Sequence, residues 1–296
     1  MNFSLKIGSC VELPETPTWD ARIQKLYWTD LGSGDVHCYD PVTESEKVWY
    51  TGQQIGSAIP CDDTNKLLCV LQHGIYLLDL HTNELTLIAD PAKGNPAVRY
   101  SDSRVDAAGR IYASTVALTY GSDEYTSDQT GSFYCVERDG TIKIIDPNIN
   151  QYNTVLWNKD STIMYVADTY NETLLAYDYD LNVGVTSAFR TVLSFNGGLG
   201  MPDGMTMDED DNLYICHWSG NISVWDKNLR PKDTISFPTP QVTCGGFGGD
   251  DMKDFYVGSG SWHYGDKEKA EHPGCGGIFM ARSNVAGMPY HIYKTK

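Results

Sequence analysis

The chain has 296 residues, 41% of them hydrophobic, with 39 acidic against 22 basic side chains and a formal net charge of −17 at pH 7. That length allows a sizeable core, whereas the charge opposes phosphate backbones and anionic membrane surfaces, because Lys and Arg are what neutralise phosphate. No run approaches the roughly 18 apolar residues of a membrane span, and the opening MNFSLKIGSCVELPE lacks the apolar stretch of a secretory signal, so a cytoplasmic protein without nucleic-acid or membrane partners is expected.

In chain order, a strand-like FSLKIGSCVEL comes first and six copies of one unit follow. Each unit is an apolar triplet with Tyr or Leu, a polar loop, a second apolar run, then Asp with turn residues. The copies are LYWTD…VHCYDPVT (26–43), LLCVLQHGIYLLDLHTNE (67–84), IYASTV…GSFYCVERDG (111–140), MYVADTYNETLLAYDYD (164–180), LYICHWSGNISVWDKN (213–228) and FYVGSG…GGIFMARS (255–283). Short β-branched and aromatic runs bounded by Gly, Asp, Asn and Pro are strand and turn grammar, and helical periodicity is nearly absent. Several strands per repeat at a spacing of 41 to 53 residues describe propeller blades. The expected fold is all-β, a six-bladed β-propeller formed by residues 1–296 as a single domain. A terminal strand, from FSLKIGSCVEL or the closing PYHIYKT, is expected to complete the blade of the other terminus.

Two features are read structurally. YWTD at 27–30 occurs once, at a strand position that recurs as YVAD and LYIC, so its aromatics are expected in the core rather than in a receptor-type repeat. The eight cysteines are scattered without a CxxC pair, which predicts free, mostly buried thiols.

Polar residues in the loops that enter innermost strands meet at a propeller's channel even when distant in sequence. Glu15 lies between Pro14 and Pro17, with Trp19 just after it; Asn153 enters NTVLW; Asp203 is bracketed by Pro202 and Gly204. Proline restricts the backbone around a positioned carboxylate, although a Pro-Asp-Gly run is also ordinary turn chemistry.

Taken together, ETPTW (15–19) followed by LYWTD, RYSDSRVDAAGR (99–110), NTVLW (153–157), YVAD (165–168), PDGM (202–205), FGGDD (247–251) and GGIF (276–279) make the chain resemble the SMP-30/gluconolactonase/luciferin-regenerating family of regucalcin-like propellers. The resemblance implies one divalent metal ion, Ca, Mg, Mn, Zn or Fe, held by Glu15, Asn153 and Asp203, a hard oxygen donor set that leaves positions for water and substrate. It also implies hydrolysis of a small-molecule sugar lactone at a central metal site; Asp203 is the expected catalytic general base, with a metal-bound hydroxide as the competing nucleophile.

Arg99 matches a substrate-binding arginine of the family. Ser101 stands where many relatives have Asn, Asp102 follows it, and Thr119 stands where some relatives place a substrate-contacting Glu. His217 and Trp218 are further substrate-binding candidates at the channel mouth, and 259–277 is read as a lid or a solvated loop. The same metal site acting on another ester, a phosphotriester or a luciferin-type substrate, and a non-catalytic calcium-binding propeller, are the competing readings. A monomer or small homo-oligomer is expected.

Overall fold

In a computed structural model, residues 1–119 and 130–295 are described. They form six antiparallel sheets, five of four strands and one of five, each built from consecutive strands except the last. The last combines Val242–Gly248, Asp254–Ser259 and Ile278–Arg282 with the N-terminal strand Ser4–Ile7, whose Ser4 pairs with Met280 and Leu5 with Phe279. The N-terminal strand therefore closes the ring as the outer edge of the sixth blade. PYHIYKT adds no blade strand; it crosses the opposite end, where Tyr293 bridges Cys61 and the Tyr290 hydroxyl donates to Thr206 Oγ1 and the Gly245 carbonyl.

The six repeats of the sequence are the second and third strands of each blade, as in Lys25–Asp30 with Asp35–Asp40 and Leu213–His217 with Asn221–Trp225. A tight turn joins the first pair: Gly34 sits at φ 77° and donates its N–H to the Asp30 carbonyl at 2.9 Å. A Cβ at Gly34 would lie 1.7 Å from the Gln53 carbonyl oxygen, so glycine is required there.

Side chains alternate across a strand, so each blade feeds two cores, one against each neighbour. Tyr27 packs with Ile55, Leu67 and Cys69 of the second blade, and Trp28 with Tyr256 and Ile278 of the sixth. Trp28 is fully buried, stacks on His37 at 3.7 Å and donates to Glu46 Oε1, which gives YWTD its packing role. All eight cysteines are unpaired, and seven are buried. Among the described residues there is one α-helix, Asp266–Glu271, and no helix is long and apolar enough to cross a membrane.

The innermost strands, Pro14–Asp20, Ile55–Pro60, Val98–Val105, Tyr152–Trp157, Pro202–Met207 and Val242–Gly248, contact one another in a ring around the axis. Every one of them is irregular. Pairing with the next strand shifts register between Glu15 and Thr18, Ile55 and Ser57, Tyr100 and Ser103, Tyr152 and Val155, Pro202 and Met205, and Val242 and Gly245. A bulge frees residues from the ladder and re-aims their side chains. Repeated six times, it furnishes the channel with side chains that a regular pleat would turn into the cores between blades.

Candidate active site

These bulges fall where Glu15, Gly56, Ser101, Asp102, Asn153, Asp203 and Cys244 stand, near the start of most innermost strands. Glu15, Asn153 and Asp203 line one cavity of about 220 Å³, together with Arg99, Ser101, Gln151 and Thr169. Leu13, Leu31, Met201, Trp218 and Trp262 supply its apolar wall. Gly56 of the second blade borders the same cavity, and its missing side chain lets this strand lie close against the third blade: a Cβ there would lie 2.1 Å from the Ser101 carbonyl oxygen.

Each of the three predicted ligands retains 8% exposure or less. The Asn153 amide donates a short hydrogen bond to Asp203 Oδ1, which leaves the amide oxygen as an acceptor. Cys244 Sγ donates to Glu15 Oε2 at 2.7 Å, and ligand atoms of Glu15, Asp203 and Cys244 all lie within 4.8 Å of one another.

Burial raises the Glu15 pKa well above the usual carboxylate value, and the neighbouring Asp203 charge raises it further. Asp203 is raised by burial and by Asp102, while the Asn153 amide and Arg99 pull it down. Arg99 is half-buried on the wall of the same cavity, its Nη1 donating to the Tyr100 carbonyl at 3.1 Å; burial lowers its pKa, and the charges of Glu15 and Asp203 act against that. Two buried carboxylates facing each other thus make a site where the fully ionised form is costly unless a cation is present.

Three further substrate-binding candidates have surroundings of their own. Asp102 borders the cavity, but both carboxylate oxygens are engaged: Oδ1 accepts from Ser57 Oγ, the Ser103 N–H and Arg104 Nη1 at 2.7 to 2.8 Å, and Oδ2 from Thr154 Oγ1. It ties the second, third and fourth blades together at the edge of the cavity. His217 is fully buried, with Nδ1 against the Gly200 carbonyl at 3.0 Å and Nε2 against Ser223 Oγ at 2.7 Å; its neighbour Trp218 is the one that reaches the cavity. Thr119, half-buried beyond the strand Ile111–Ala117, is not among the described residues lining the cavity.

Of 259–277, Trp262 alone lines the cavity, and the helix Asp266–Glu271 buries no residue. Trp262 is held by Gln241, whose Oε1 accepts from its N–H and whose Nε2 donates to its carbonyl, at 2.7 and 3.0 Å. Sequence reasoning missed Cys244, Gln151 and Thr169. The signal for Cys244 was its place in the sixth innermost strand, three residues before FGGDD; a lone Cys beside two glycines reads as a turn.

A closed six-bladed propeller with two buried carboxylates and an amide gathered in an axial cavity defines the class of protein. Residues 13–261 match the model described as SMP-30/Gluconolactonase/LRE-like region, and the chain belongs to that family. Among its relatives are the 6-deoxy-6-sulfogluconolactonase of Pseudomonas putida, 29% identical over 282 residues (93% of this chain, 92% of the relative), and the pentonolactonase of Haloferax volcanii, 26% identical over 297 residues (98% and 97%). The structure of a calcium-binding protein, regucalcin, from Agrobacterium tumefaciens shares the fold with a TM-score of 0.90 at 23% identity, covering 98% of this chain and 97% of that one.

Proposed function

We propose that this protein hydrolyses a small cyclic ester, a sugar lactone, using a divalent metal ion held by Glu15, Asn153 and Asp203. The observation that carries the reading is the convergence of these three buried side chains from the first, fourth and fifth blades in one cavity. Lactonase names among the relatives support it. At about 220 Å³ the cavity falls below the roughly 300–1,000 Å³ of sites for drug-sized ligands, which suits a monosaccharide-sized ring.

The donor set fits a dication: two carboxylates and an amide oxygen are hard ligands, and burial, which raises the proton affinity of both Glu15 and Asp203, makes their ionised forms costly without a cation beside them. Such an ion supplies Lewis acidity toward the ester carbonyl and the negative charge that develops on it.

The chain's own residues do the rest. Arg99 and Ser101 donate hydrogen bonds to carbonyl or hydroxyl oxygens of the substrate, and Trp218 and Trp262 cover the C–H face of its ring and exclude bulk water. Asp203, oriented through Oδ1 by the Asn153 amide, accepts a proton from the attacking water as its oxygen bonds to the acyl carbon. The ring C–O bond breaks, and the departing alkoxide takes that proton back from Asp203, giving the open hydroxy acid.

The whole chain is taken as one propeller domain, which closure by Ser4–Ile7 supports. A cytoplasmic setting is supported by eight unpaired thiols.

Proton release from a panel of five- and six-membered aldonolactones, with metal-stripped protein resupplied with Ca²⁺, Mg²⁺, Mn²⁺, Zn²⁺ or Fe²⁺, tests the reading. Metal-restored turnover above spontaneous opening supports it. Turnover confined to linear esters or phosphotriesters would move the substrate class, and saturable metal binding with no turnover of any ester would leave a binding protein.

A further inference from the structure

Cys244 contributes a thiol to a site whose expected donors are all oxygens. It lies on the bulge of the sixth innermost strand and is 1% exposed, with Sγ 2.7 Å from Glu15 Oε2. Its position relative to Asp203 is fixed by backbone: Gly204, the next residue, packs so closely that a Cβ would lie 2.5 Å from Cys244 Cα. The fifth and sixth blades are therefore locked together at the two donors.

Metal–sulfur bonds of about 2.3 Å and metal–oxygen bonds of about 2.0–2.2 Å place the ligands of one ion within roughly 4.5 Å of each other. Ligand atoms of Glu15, Asp203 and Cys244 lie within 4.8 Å of one another, close to that limit, and Sγ and Oε2, 2.7 Å apart in their hydrogen bond, move apart when an ion takes the place of the proton, which leaves to solvent. We infer that Cys244 selects among dications: thiophilic ions such as Co²⁺, Zn²⁺ and Cd²⁺ bind through Sγ together with Glu15 and Asp203, whereas Mg²⁺ and Ca²⁺ are held by oxygens alone. The cation takes the place of the proton that Sγ shares with Glu15. Thiolate is a soft donor and carboxylate a hard one, so a mixed set widens the preference of the site toward softer ions. This inference rests on the proposal that the cavity holds a dication.

Metal-stripped wild type, Cys244→Ser and Cys244→Ala are titrated with Co²⁺, Cd²⁺, Zn²⁺, Mg²⁺ and Ca²⁺ by calorimetry, and the Co²⁺ forms are followed by absorption. Wild type is expected to show a thiolate-to-cobalt charge-transfer band in the near ultraviolet that both variants lose. Cd²⁺ and Zn²⁺ affinity is expected to fall about tenfold or more in the variants, with Mg²⁺ and Ca²⁺ affinity nearly unchanged. Co²⁺ binding without the band, a band that persists in Cys244→Ser, or equal weakening of all five ions would overturn the role of Cys244 while leaving the metal site standing. No binding of any dication to wild type would overturn both.

Discussion

Replacing Asp102 with Ala should destabilise the fold far more than it perturbs substrate contacts. Asp102 and Arg104 are 6% and 5% exposed and paired at 2.8 Å, and the carboxylate also accepts from Ser57, Ser103 and Thr154. Alanine leaves Arg104 with the Ser103 carbonyl and the face of the Tyr290 ring at 4.7 Å, but no counter-ion. An uncompensated buried charge of this kind costs about 3–5 kcal/mol. The stranded hydroxyls and amide belong to the same network, so their losses overlap and are not added to that figure. Urea unfolding should show a loss in that range with an unchanged m-value. The double variant Asp102→Ala, Arg104→Met should recover part of it, because the isolated charge is then gone. A loss below about 1 kcal/mol for Asp102→Ala, or a double variant no more stable than the single one, would refute the reasoning.

Glu15→Gln keeps the shape of the side chain but removes one of two buried carboxylates, and calorimetry should show divalent-ion affinity falling by at least about tenfold; unchanged affinity would place the ion elsewhere. His217 gives stability a pH dependence of its own, since burial pushes its pKa from 6.5 down to about 4. Its neutral form is favoured by folding, so the contribution is complete above pH 6.5 and is lost as pH falls toward 4. The full shift corresponds to about 3 kcal/mol, and His217→Gln should flatten the unfolding free energy across that window; an unchanged slope would assign the acid sensitivity to other groups. Gln241→Leu removes both hydrogen bonds that hold the Trp262 backbone, so KM for the substrate should rise severalfold with kcat less affected; an unaltered KM would show that Trp262 needs no such clamp.

Blade strands that pack on both faces were legible in sequence because alternation and turn residues mark them, as in KLYWTD and LYICH. The innermost strands were not, since each breaks register just where its polar residues stand; PETPTWD and VTCGGFG read as loops without the neighbours that turn them into strands. Glu15, Asn153 and Asp203 were found through motif order, and the cavity does bring them together. His217 ends the strand Leu213–His217 with its ring held inside the blade by Ser223 and Gly200, whereas Trp218 opens the turn that follows and reaches the cavity, a boundary that LYICHW does not mark. The network around Asp102 was not legible because the sequence shows only a carboxylate beside Ser101, whereas its hydrogen-bonding partners, Ser57 and Thr154, come from other blades. Cys244 meets Glu15 across 229 positions, at the seam where the ring closes, and no local pattern records that contact.

In the proposed mechanism, Asp203 is the residue on which metal holding and proton transfer meet. Turnover of the best aldonolactone by metal-loaded Asp203→Asn, measured beside wild type with metal content determined on the same samples, tests this most directly. The account predicts a loss of about 10²–10⁴-fold in kcat, and near-wild-type turnover in a folded variant would contradict it.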